Sequence, residues 1–221
     1  MPTDRSTWSN ATPQRVVSWN YLTLNEILFT ASMLQPPMFD PSADPAINYG
    51  AVGGVIGHEL GHAFDDQGAR FDPKGVLRTW WSKADLDAFK QRTDALAAQY
   101  DQFEPLPGLR INGRLTLGEN IGDLGGMTIA YTAYQLSLHG KPAPVLGGLT
   151  GDQRFFLGWA QIHRSLQRDE ELRRQVMSDP HSPPRFGVNG VVRNLDAWYA
   201  AFNVQPGDAL YLPPDQRVRI W

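Results

Sequence analysis

Hydrophobic positions along the chain change their spacing several times, and each change predicts an element. Residues 1–14 are polar and turn-rich and read as an N-terminal arm. Arg15-Val16-Val17-Ser18-Trp19-Asn20 and Asn25-Glu26-Ile27-Leu28-Phe29-Thr30 concentrate β-branched and aromatic residues on either side of a turn, which predicts two short strands. Residues 34–41, with Pro36, Pro37 and Pro41, form a stiffened connection. The stretch 48–64 is apolar nearly all round, so it predicts a buried helix. Its glycines are poor helix formers, and close approach by another backbone would account for them. Asp65-Asp66-Gln67-Gly68 supplies the stop.

Beyond it, Ser82 caps a helix whose Leu86, Phe89, Leu96 and Tyr100 share one face. A long helix follows over 116–138, then a surface loop over 140–151 containing Gly147 and Gly148. Asp152 is the expected cap of a helix built on Phe155, Phe156, Trp159 and Ile162. A short helix is expected over 170–177, and Asn194 is the expected cap of another carrying Leu195, Trp198 and Phe202. The fold class is therefore α+β, mostly helical, with a small sheet on the N-terminal side.

Composition narrows the function. A length of 221 residues allows one large domain or two small ones, and 42% hydrophobic against 19% charged residues is a globular balance that excludes disorder. A net charge of −3 lacks the basic footprint of a nucleic-acid binder. With no cysteine there is no disulfide and no thiolate metal site. No apolar run approaches the roughly 20 residues that span a bilayer, and the first residues lack the apolar segment of a signal peptide. The sequon Asn10-Ala11-Thr12 would accept a glycan only in a secretory pathway.

The chemistry concentrates in two segments. In His58-Glu59-Leu60-Gly61-His62 the histidines stand four apart, so on a helix both imidazoles face one ion. Glu59, one step round, reaches a water on that ion without ligating it. Exposed histidines in this pattern would mean little, but two imidazoles and a carboxylate in an apolar helix need a reason to be buried. A catalytic zinc takes three protein ligands and keeps one position open. Glu119-Asn120-Ile121-Gly122-Asp123 offers two carboxylates four apart on a second helix, flanked by apolar Leu117, Ile121 and Leu124. One of them can bind the metal while the other holds the free nitrogen of a ligating histidine.

The segments 55–66 and 118–126 resemble the paired signatures of the neprilysin family of zinc endopeptidases (M13, gluzincin clan). Leu34-Gln35-Pro36-Pro37, Asn48-Tyr49-Gly50, Trp80-Trp81, Asp179-Pro180-His181-Ser182-Pro183 and Val218-Arg219-Ile220-Trp221 match the same family in the same order. The resemblance implies a thermolysin-like (gluzincin) catalytic domain over 15–221, a single Zn2+ ion and peptide substrates. It assigns His58, His62 and Glu119 as zinc ligands, Glu59 as the catalytic base and Asp123 as the aspartate behind a ligand histidine. His181 becomes the oxyanion-stabilising histidine and Asp179 the acid that orients it. An extracytoplasmic location is the family expectation.

The chain departs from the family where substrate is gripped. Val17 and Ser18 stand where an Asn-Ala pair is usual, and Gly187 stands where an arginine binds substrate carbonyls, with Arg185 a partial substitute. His163 replaces a common tryptophan, and about 14 residues stand before the strands where family enzymes carry a large helical domain, which leaves three expectations: a catalytic-domain fragment, a short relative with an open cleft, or a second chain that supplies the cover. These differences predict altered substrate binding with zinc binding retained, and a homo-oligomer or partner chain covering the site. The competing hypothesis is a non-proteolytic zinc-binding interaction subunit, or a partner-completed half of a peptidase. His139, beside Gly140 at a helix end, and His163 carry no chemistry in this reading.

Overall fold

The computed structural model describes residues 11–221. Residues 1–10, including Asn10 of the sequon and most of the expected arm, lie outside the described residues. Of that arm, Pro13 is tied down, its carbonyl accepting hydrogen bonds from the Ser32 amide (3.0 Å) and hydroxyl (3.1 Å).

The two expected strands pair as β1 (Ser18–Tyr21) and β2 (Glu26–Phe29), an antiparallel hairpin with Ser18 opposite Phe29 and Tyr21 opposite Glu26. This is the whole sheet among the described residues, so one edge of β1 has no strand partner. The expected helix over 48–64 is instead three pieces: α1 (Pro45–Gly50), α2 (Val52–Gly61) and a 3-10 turn over His62–Phe64. Asp44 caps α1 through the Ala46 amide, and the break falls at Ala51. Nor is α2 buried on every side. Its inner face carries Val52, Gly54, Gly57 and Gly61, whereas Ile56 and Leu60 are 39% and 45% exposed. The small residues go inward because another helix lies directly on them, leaving the bulky ones outside.

The remaining helices are α3 (Lys83–Tyr100), α4 (Leu117–Ser137), α5 (Gly151–Ile162), α6 (Asp169–Ser178), α7 (Pro184–Val192) and α8 (Asp196–Phe202). Ser82 caps α3 by accepting from the Asp85 amide at 3.2 Å, as expected. At α5 the cap is Thr150, not Asp152. The Thr150 hydroxyl accepts from the Gln153 amide and the Gln153 side chain accepts from the Thr150 amide, a reciprocal box that leaves Asp152 in the first turn. Asn194 does not cap α8 either. Its side chain is buried, accepting from the Val218 amide and donating to Gly190 O and Gln99 Oε1, so it joins the C-terminal segment to α3 and α7. Hydrophobic spacing predicts no element over α7, which nevertheless starts at Pro184, where a proline in the first turn removes no helical hydrogen bond.

The core lies between α4, α5 and α3, with Ile121, Leu124, Met127, Phe155, Trp159, Leu96 and Tyr100 all essentially sealed from solvent. At one end an aromatic pile forms: Trp221 stacks on Phe89 at 5.4 Å between centroids and meets Trp81 and Phe64 at 5.9 Å. Arg92 donates to Ile220 O at 2.7 Å and holds this tail against α3.

No helix among the described residues is long and apolar enough to cross a membrane.

Candidate active site

The site exists because α2 and α4 touch at backbone level. A Cβ added at Gly57 would lie 2.5 Å from Gly126 O, and one at Gly126 would lie 2.4 Å from the His58 amide nitrogen. Only glycine permits that approach. It brings the end of α2 and the 3-10 turn, with His58 and His62, over the first turn of α4, with Glu119. At the next turn Gly122 leaves room for the His58 ring, since a Cβ there would be 2.9 Å from Nδ1.

Ligand-type atoms of His58, His62 and Glu119 all lie within 4.8 Å of one another. Glu119 Oε2 sits 3.3 Å from His58 Nε2, 3.6 Å from His62 Nε2 and 3.3 Å from His181 Nε2. The opposite nitrogen of each ring is taken. Asp123 Oδ1 meets His58 Nδ1 at 2.8 Å, Asp65 Oδ2 meets His62 Nδ1 at 2.7 Å, and Asp179 Oδ1 meets His181 Nδ1 at 2.8 Å. A carboxylate at Nδ1 selects the tautomer with its proton there and leaves Nε2 as a bare lone pair. Three such lone pairs converge on one acidic oxygen.

That oxygen is the telling atom. Glu119 Oε2 is buried and closes no hydrogen bond, although three rings stand within ion-pair distance. A buried, unpaired carboxylate oxygen is costly. Two neutral imidazoles and a carboxylate on a rigid helix pair form the donor set of a catalytic zinc, so the residues present fit that ion. Without a cation, protons take its place. Burial opposes a charge on His58, but Asp123 and Glu119 outweigh it and raise the His58 pKa to about 10. Burial likewise works against Glu119, and His58, His181 and His62 overcome it, lowering its carboxyl to about 2. His62 moves upward in the same way, burial being outweighed mainly by Asp65.

Glu59 is buried on α2, and its Oε1 accepts a 2.7 Å hydrogen bond from the Ser18 hydroxyl. A cleft of about 580 Å3 opens over these groups, lined by Val17, Ser18, Trp19 and Asn20 of the hairpin, by His58, Glu59 and His62, and by Glu119 and His181. The structure thus gathers His58, Glu59, His62, Glu119, Asp123, Asp179, His181, Val17 and Ser18 in one place. Arg185 is outside the group. It is exposed at the start of α7, with its guanidinium 5.7 Å from the Phe186 ring centre, and does not line the cleft. Gly187 is buried, and a Cβ there would lie 3.6 Å from Asp123 Oδ2 and 3.7 Å from the His163 ring. His163 itself packs on Trp159, ring centres 4.2 Å apart, and its Nδ1 donates to Trp159 O. His139 ends α4 at φ 49°, away from the site.

Sequence reasoning passed over two contributors. Asp65 follows His62 by three residues, a same-face spacing on a helical turn that could have signalled its contact. Asn120, buried beside Glu119, accepts from the Ser182 hydroxyl at 2.8 Å and donates to Thr116 Oγ1 at 2.9 Å, which fastens the loop carrying His181 to α4. No local pattern announces that pairing, because its partners are 62 residues apart.

Comparison with known proteins places this arrangement. The model of peptidase family M13 matches residues 18–218. Mouse endothelin-converting enzyme 1 is 42% identical over 99% of this chain and 28% of its own length. Neprilysin-3 of Drosophila melanogaster is 37% identical over 100% of the chain and 28% of its own. The chain therefore spans under a third of the curated relatives it matches. Among solved structures, the inhibitor complex of the Mycobacterium tuberculosis zinc metalloprotease ZMP1 superposes with a TM-score of 0.97 at 55% identity, covering 100% of this chain and 34% of that one. PepO from Lactobacillus rhamnosis gives 0.87 at 38% identity, covering 98% of this chain and 32% of the other. On the strength of the family-model match and these structural likenesses, the chain belongs to peptidase family M13.

Proposed function

We propose that residues 15–221, following the arm of residues 1–14, form the catalytic domain of a zinc-dependent endopeptidase or oligopeptidase. The observation that carries this reading is Glu119 Oε2, buried without a hydrogen bond and faced by three imidazole nitrogens. His58, His62 and Glu119 would hold the ion, with Asp123 and Asp65 fixing the two histidine rings. Zinc, when bound, makes a water acidic enough to ionise near neutral pH and polarises a carbonyl group.

The chain's own residues do the rest. Glu59, one helical step from His58, takes a proton from the attacking water and returns it to the leaving amine. His181, with Nδ1 held by Asp179, has Nε2 left to face the oxygen on which negative charge develops. A peptide would add as a strand along the unpaired edge of β1, which lines the cleft. Val17 offers that peptide no side-chain amide, and Arg185 stands away from the cleft, so the grip falls on backbone groups.

Glu59→Gln, assayed on a mixed quenched-peptide library, is the test. It is expected to keep one zinc per chain and to lose about 100-fold or more in turnover, the usual worth of a positioned general base. A chelator is expected to stop the wild type and added zinc to restore it. Wild-type hydrolysis by the glutamine variant, or hydrolysis indifferent to the chelator, overturns the proposal.

A further inference from the structure

The hairpin does more than line the cleft. Ser18 and Asn20 are two apart on β1 and so project to the same side of the strand. Both end on one residue. The Ser18 hydroxyl donates to Glu59 Oε1 at 2.7 Å, and the Asn20 amide donates to the Glu59 carbonyl oxygen at 2.6 Å. Trp19, between them, is 37% exposed. Glu59 is thus gripped from both ends by a strand that lies 39 and 41 residues earlier in the chain.

We infer that Ser18 is a positioning residue for Glu59, holding one carboxylate oxygen so that the other is presented to the reacting water, while Asn20 keeps the strand in register on α2. Among the described residues no other group hydrogen-bonds this carboxylate. Glu59 is only 5% exposed, so little solvent is present to steady it. A glutamate side chain has several rotatable bonds, and a base must be held close to its productive geometry to work. One hydroxyl, mounted on a paired strand that is itself bolted to the same helix, supplies that restraint. A substrate-contact role predicts something different, because a hydroxyl committed to Glu59 is not offering itself to a peptide.

The inference rests on Glu59 acting as the base, and the experiment separates the two. In the zinc-loaded full chain, Ser18→Ala is expected to lower kcat about tenfold with KM within twofold of wild type and zinc content unchanged. Ser18→Thr, which keeps the hydroxyl, is expected to restore most of the rate. In a Glu59→Gln background, Ser18→Ala is expected to cost nothing further. An infrared difference spectrum between wild type and Ser18→Ala should show a carboxylate-stretch change that vanishes in the Glu59→Gln background, a readout independent of turnover. Should Ser18→Ala fail to fold, Ser18→Thr and Ser18→Cys carry the test: a rate that follows hydrogen-bond strength supports the clamp, and equal rates refute it. Unchanged kcat in Ser18→Ala, or a loss confined to KM, overturns the clamp while leaving Glu59 as base. Full activity of Glu59→Gln instead overturns the base assignment itself.

Discussion

The contact between α2 and α4 makes a prediction whose sign separates packing from propensity. Replacing glycine by alanine inside a helix normally stabilises it by about 1 kcal/mol. At Gly57 the added methyl would sit 2.5 Å from Gly126 O and 2.7 Å from Gly126 Cα, both rigid backbone atoms. Ordinary contact begins near 3.4 Å, so the helices must part by roughly 0.9 Å, against a tolerance of about 0.2 Å for metal–ligand distances. Overpacking of this kind costs about 1–3 kcal/mol, which exceeds the propensity gain. Gly57→Ala is therefore expected to melt lower than wild type and to bind zinc at least about tenfold more weakly, because the displaced residue neighbours His58 while Glu119 stays on α4. Gly53→Ala in the same helix is the control. Its methyl meets nothing closer than 3.4 Å, so it is expected to be neutral or slightly stabilising with unchanged zinc affinity. Thermal melts of both variants and a competitive zinc titration decide the matter. A Gly57→Ala protein that behaves like Gly53→Ala would refute the claim that backbone contact sets the ligand spacing.

Four further outcomes follow from the structure. In metal-free protein His58 titrates at about 10, above its ordinary 6.5, so its charge contributes stability below pH 6.5 that is lost as pH rises through 10; the apo form is expected to melt lower at pH 10 than at pH 7. Zinc must displace that proton, so titration calorimetry at pH 8 in buffers of different ionisation enthalpy is expected to show proton release and affinity that rises with pH, and a pH-independent affinity would contradict the assignment. Asp123→Ala, which frees the His58 ring, is expected to weaken zinc about 10- to 100-fold in the same competitive titration. Thr150→Ala, which opens the capping box of α5, is expected to cost about 1 kcal/mol in a denaturant melt with zinc binding untouched.

Local chemistry made much of this molecule readable. Two imidazoles four apart, a carboxylate pair four apart and glycines on an apolar helix led to the meeting of α2 and α4, and a serine cap located the start of α3. Misreadings came where tertiary partners outbid local preference. Asn194 looks like a cap from its neighbours, yet Gln99, 95 residues back, and Val218, 24 residues on, claim its side chain together with Gly190. Asp152 suits a helix start, yet Thr150 is the cap because Gln153 stands three residues on to close its box. An apolar helix suggests bulky side chains inside, yet Leu60 lies outside because Gly57 and Gly61 take the surface that meets the α4 backbone. Arg185 lies close in sequence to the substrate-gripping position at Gly187, but it stands in the first turn of α7 and does not line the cleft. Ser18 stands where the family grips substrate, yet its hydroxyl is held by Glu59, 41 residues away, a pairing that no local pattern announces.

The aromatic pile at the tail has an optical consequence. Trp80 meets Trp81 at 5.5 Å and Trp81 meets Trp221 at 5.9 Å between ring centres, close enough for their strong ultraviolet transitions to couple and give a dichroism band that isolated indoles lack. Phe64, which touches Trp221, closes the turn that begins at His62. Loading the imidazole pair with cation would therefore be visible as a shift in that band, although Trp80, Trp81 and Trp221 do not line the cleft, and the molecule carries its own dye-free indicator of occupancy.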